Sequence, residues 1–173
     1  MSRNQLSEQK PTILVAGVGN IFLSDDGFGP EVVRHLAGEA QPLPVQARLV
    51  DYGIRGMHLA YDLLEGYEAL VIVDARPGPG APGELVVLEI GPDDVPGGEF
   101  DAHGMDPMAV LAALPDLGGQ LPPTYLVGCR PEELTDGIGL TTAVQDAVPA
   151  AAATVRRLVQ QLIDDPHSVG ERV

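Results

Sequence analysis

Three short stretches of this chain carry residues whose types and spacing suit chemistry. Adjacent carboxylates, Asp25 and Asp26, follow an apolar run that ends at Val18 and a glycine turn, Gly17-Val-Gly-Asn20. Asp74 closes a second apolar run, Ala69-Leu-Val-Ile-Val-Asp74, and His103 sits in a polar loop, Asp101-Ala-His-Gly-Met-Asp-Pro107. Carboxylates and one imidazole leave coordination positions open on a metal ion, which is the pattern of a catalytic rather than a structural site. Imidazole suits zinc, copper, iron or nickel, while carboxylates accept many ions, so the donor set does not name the metal.

Each of these residues also has a plainer use. Acids just before a helix cap its free amides, and one residue suffices for that; the pair Asp25–Asp26 invites a division in which one caps and the other faces a ligand. An Asp at a strand end is a common turn former. A carboxylate ending a Val-Ile-Val run is nonetheless costly to bury unless it is paired or metal-bound. His35 and His58 fall within expected helices and His167 in the tail, which leaves His103 as the loop imidazole able to reach over a crevice. Cys129 offers a thiol that could pair with His103 as a nucleophile, although its apolar strand end favours packing. The glycine turn begins like a dinucleotide fingerprint but lacks the third glycine, and two acids stand where a pyrophosphate needs a helix start free of negative charge. Neither a His-Glu-x-x-His helix nor a Gly-x-Ser-x-Gly elbow is present.

The elements that must position these groups can be read from apolar spacing. Continuous apolar runs predict buried strands at 12–18, 69–74 and 124–128, with further strands at 45–51 and 84–90. Helices are expected from about 27 or 30 to 40, from 56 to 64, from 107 to 114 and from 141 to 163, the last with Val144, Val148, Ala151, Val155, Leu158 and Leu162 on one face. The Gly/Pro-rich turn 76–83 is too short for a crossover helix, so the fourth strand should run antiparallel at an edge. The expected fold is α/β: a three-layer sandwich whose mostly parallel, twisted, five-stranded sheet has one antiparallel edge strand and helices on both faces. Right-handed crossovers put the second strand on one side of the first and the third on the other. Asp26 and Asp74 then share the crevice at the carboxyl ends of the strands, where such sheets bind ligands. A single domain is expected over 11–164, between a flexible lead-in (1–10) and a polar tail (165–173).

Composition narrows the partners. With 10 basic and 25 acidic residues the formal net charge is −15, which repels phosphate backbones and anionic membranes, so no nucleic-acid and no membrane partner is expected. One cysteine among 173 residues allows no intrachain disulfide, and the polar N-terminus has no signal-peptide core; both point to the cytoplasm.

The segments GVGNIFLSDDGFGPEVV, DYGIRGMHLAYDLL, ALVIVDA, DAHGMDP and LVGCRPEEL…GIGLT occur in this order over residues 13–148. Together they make the chain resemble the hydrogenase maturation proteases. The resemblance implies an endopeptidase that removes a C-terminal extension from the large-subunit precursor of a nickel-iron hydrogenase. It implies Asp26, Asp74 and His103 as the metal-contacting and catalytic set, on nickel contributed by the substrate, with no tightly bound cofactor of the enzyme's own. Some relatives carry Glu at the position of Asp26 and others Thr at Ile54, and cysteine at 129 is not a family requirement. The competing expectation is a nickel-binding assembly chaperone without proteolytic activity.

Overall fold

The structure, a computed structural model, describes residues 10–94 and 107–166. Five strands, β1 (Ile13–Val18), β2 (Ala47–Gly53), β3 (Ala69–Ala75), β4 (Leu85–Ile90) and β5 (Thr124–Cys129), form one sheet in the order β2-β1-β3-β5-β4. β1 pairs in parallel with β2 and β3, β3 pairs in parallel with β5, and β4 runs antiparallel to β5 at the edge. The expected flanking of β1 by β2 and β3 and the antiparallel edge are both present.

Among the described residues four α-helices cover the sheet: α1 (Phe28–Gly38), α2 (Gly56–Leu63), α3 (Pro107–Ala112) and α4 (Thr142–Asp164). Alternation along the strands sorts the core into two layers. Ile13, Val15, Val71, Val73, Tyr125 and Val127 pack under α1 and α4. Leu14, Ala16, Leu70, Ile72 and Leu126 pack under α2 and α3. β1, β3 and β5 are buried along their whole length, as their unbroken apolar runs require. The Tyr52 hydroxyl at the end of β2 donates to Asp62 of α2 at 2.5 Å and ties that helix to the edge strand.

Three elements differ from expectation by about two residues, α3 among them, which ends at Ala112 and not at 114. β2 lies two residues further along, at Ala47–Gly53, because an edge strand reading Ala-Arg-Leu-Val-Asp-Tyr-Gly has no continuous apolar run; Val45, assigned to it from hydrophobicity, is exposed. α1 begins after a separate 3-10 turn, Ser24–Gly27, and ends at Gly38, where Glu39 is already extended.

Close approach of α1 to the sheet depends on glycine. A Cβ on Gly29 would lie 2.3 Å from the carbonyl oxygens of both Val18 and Val73. The first turn of α1 therefore spans the carboxyl ends of β1 and β3, and the preceding 3-10 turn rests against β3. A side chain there would push the helix off the strands.

Candidate active site

The turn that leaves β1 places Asp26. Gly19 has φ +138, and a Cβ there would be 1.9 Å from the Asp26 carbonyl oxygen, so only glycine admits so tight a turn. The Asp26 carboxylate folds back over this turn and accepts the Asn20 amide at 2.7 Å, remaining half-buried. The glycines thus serve close packing. A carboxylate takes the turn amide that a pyrophosphate would otherwise approach, which removes the dinucleotide reading.

Asp74 is buried, 7 % exposed, and sits opposite Gly128 at the carboxyl end of β3. By alternation it shares the sheet face of Leu70 and Ile72, the face of α2 and α3. Just beyond it, Arg130 donates through Nη1 to the carbonyls of Arg76 at 2.8 Å and Pro77 at 3.1 Å, fixing the chain as it leaves β3. The structure thus brings Asp26, in the 3-10 turn after β1, and Asp74, on the neighbouring strand β3, to the same end of the sheet. His103 lies outside the described residues. Among the described residues no three His, Cys, Asp or Glu side chains gather as a metal site.

Asp25 does something the sequence did not suggest, and the capping expectation for this pair is corrected. The cap of α1 is Gly27, with no side-chain hydrogen bond. Asp25 is fully buried, and its carboxylate accepts the amides of Glu132 (2.8 Å), Glu133 (2.9 Å) and Thr141 (2.7 Å) and the Thr141 hydroxyl (2.9 Å). Burial opposes ionisation, but the donors from Glu133, Thr141 and Glu132 outweigh it and hold the carboxyl below its ordinary value. Asp25 therefore binds the loop after β5, and the residue before α4, to the turn after β1.

The same two loops are joined by main chain. Ser24 donates its amide to Gly137 and its hydroxyl to Thr135, while Gly137 donates its amide to the Phe22 carbonyl. These bonds hold Ser24 at φ +50, a conformation rare outside glycine, directly beside the two acids. No sequence pattern announces this junction, because the partners lie more than a hundred residues apart.

Cys129 is fully buried in the layer under α4. Burial, with Asp25 nearby, pushes its thiol up to about 11. A thiol so placed is not a nucleophile at neutral pH, and the cysteine-peptidase reading fails on that ground. His35, on α1, lies 3.4 Å from Glu39 just beyond the helix, and His58 is exposed on α2. An open groove of about 1040 Å³ lies at the opposite, amino end of the sheet, lined by Leu63, Leu64, Tyr67, Leu117 and Leu121. It lacks the paired acids.

Comparison with known proteins identifies the family and the fold. The model of the hydrogenase maturation protease family matches residues 30–158. The hydrogenase expression/formation protein HupD of Rhodobacter capsulatus is 36% identical over 152 residues, covering 84% of this chain and 70% of its own length. The hydrogenase 2 maturation protease of Escherichia coli is 34% identical over 147 residues, covering 83% of this chain and 87% of its own. Among solved structures, the hydrogenase maturating endopeptidase HybD from E. coli superposes with a TM-score of 0.71 at 33% identity, over 86% of this chain and 92% of that one. The fold, the order of the motifs and these matches together establish that the chain belongs to the hydrogenase maturation protease family of peptide hydrolases.

Proposed function

We propose that this endopeptidase removes a C-terminal extension from the large-subunit precursor of a nickel-iron hydrogenase, and that it reads nickel already seated in that precursor. The observation that supports the proposal is the placement of Asp26, in the turn after β1, and Asp74, at the end of β3, at the same end of the sheet in a chain of this family. His103 completes the set. It precedes α3 by four residues in sequence, a span of at most about 14 Å. α3 packs on the same sheet face as Asp74, and its Val110 lies against Gly56, just past the carboxyl end of β2.

In this reading the metal is part of the substrate. Asp26, Asp74 and His103 take open positions on the nickel, which polarises the scissile carbonyl or lowers the pKa of the attacking water. Water then adds to the carbonyl carbon, the peptide C–N bond breaks, and the released amine takes a proton. One carboxylate is suited to act as the general base. Weak affinity for free metal serves this role, since an occupied site cannot inspect the substrate. The protein holds no cofactor of its own, and its place of action is the cytoplasm. No helix among the described residues is long and apolar enough to cross a membrane.

The test is a panel of Asp26→Asn, Asp74→Asn and His103→Ala. Each variant should keep the wild-type melting behaviour and lose shortening of the nickel-loaded precursor, read by mass spectrometry. Normal shortening by any one variant removes that residue from the mechanism.

A further inference from the structure

Four large apolar side chains stand in solvent around the acids: Ile21, Phe22, Ile54 and Ile138, exposed by 47%, 61%, 52% and 82%. Single exposed apolar residues are ordinary. These belong to three loops joined backbone to backbone. Gly19 donates its amide to the Gly53 carbonyl at 2.9 Å, beside Ile54. Gly137 donates to the Phe22 carbonyl at 2.9 Å, beside Ile138, and Leu23 and Gly137 form a parallel bridge. The apolar side chains therefore follow one another from the loop after β2, across the loop after β1, to the loop after β5. The Asn20 amide that anchors the Asp26 carboxylate lies in the middle of this row.

The loops are not free to fold these side chains inward. Asp25 and Ser24 fasten the loop after β5 to the turn after β1, and the Ile21 backbone already sits 3.2 Å from where a Cβ on Gly27 would be. Several backbone polar groups here are already paired within the loops, so the face presents side chains for contact more than a strand edge for pairing. Protein interfaces centre on an apolar core enriched in aromatic residues and ringed by a polar rim. Asn20, whose amide holds the Asp26 carboxylate, takes the Phe22 amide on its side chain, so the face is continuous with the site and the protein substrate is the partner that fits it. Glu132, Glu133 and Asp136 are exposed on the loop that carries Ile138 and make its rim acidic.

We propose that Phe22, Ile54 and Ile138 form a docking ridge for an apolar segment of the precursor, flanked by basic residues and adjacent to its scissile bond. This rests on the reading under Proposed function and adds to it a division of labour. The ridge selects the protein substrate, and the acids and imidazole perform the cleavage.

The test uses the purified, nickel-loaded large-subunit precursor of a nickel-iron hydrogenase from the same organism. Phe22→Ser combined with Ile138→Ser is compared with wild type. Ile54→Thr serves as an independent ridge variant, and Val45→Ser, at an exposed apolar site before β2, as the control. Affinity is measured directly by biolayer interferometry, and cleavage by product mass. Affinity should fall at least tenfold in the double variant, with KM rising in parallel and kcat within twofold. Ile54→Thr should fall in the same direction, and Val45→Ser should match wild type. Unchanged affinity in the double variant, or an equal loss in Val45→Ser, overturns the ridge. Wild type that binds through the ridge but leaves the precursor full-length refutes the proposed function and keeps the ridge. Wild type that neither binds nor shortens it refutes both.

Discussion

Adjacent identical residues can have opposite roles when their partners differ. Asp26 accepts one amide and stays half-buried, whereas Asp25 is sealed inside and takes its donors from residues more than a hundred positions away. Asp25→Ala leaves buried amides without an acceptor and should cost roughly 3 kcal/mol of stability in urea melts. Asp26→Asn should leave stability nearly unchanged. The low native pKa of Asp25 also gives a signed pH dependence. Its contribution is fully present above the ordinary value of 3.8 and is lost as pH falls through the lower native value. Urea melts of wild type and Asp25→Ala should therefore converge as the solution is acidified below pH 3.8; a constant gap would contradict the assignment. At this scale the sequence showed which residues were acids and which element each followed. It could not show which acid faces inward, since that is decided by the distant loop after β5.

The elements were legible in proportion to their burial. β1, β3 and β5 are covered on both faces and read as uninterrupted apolar runs, so their positions could be placed almost to the residue. β2, on an edge and only half-covered, could be located only to within two residues. The junction of the 3-10 turn with the loop after β5 has no periodicity and left no trace in sequence. The glycines of the first motif were visible, but their purpose became clear only from packing. Gly29 lets α1 approach the carbonyls of Val18 and Val73, and so sets the height of Asp26 above the sheet. Gly29→Ala is expected to overpack this contact at a cost of about 3 kcal/mol, with a lower melting temperature and slower processing together. Wild-type stability in that variant would mean that α1 has slack the structure does not show.

At the scale of the whole molecule, function follows from where the strands end. Parallel strands deliver the ends of β1 and β3 side by side, so two acids far apart in sequence come to the same end of the sheet. The topology was legible because the short Gly/Pro turn before β4 left no room for a crossover. The exposed ridge was not, because an apolar side chain in a loop carries no sign of whether it turns in or out. A net charge of −15 is spread over a molecule that leaves Ile21, Phe22, Ile54 and Ile138 uncharged around the acids. That contrast suits a site which meets a protein rather than a free ion. The central claim is that cleavage depends on nickel carried by the substrate, and the most direct measurement incubates the purified protein with nickel-loaded and nickel-free precursor and weighs the products. The account predicts that only the loaded precursor is shortened; equal shortening of both forms, or none of the loaded form, would contradict it.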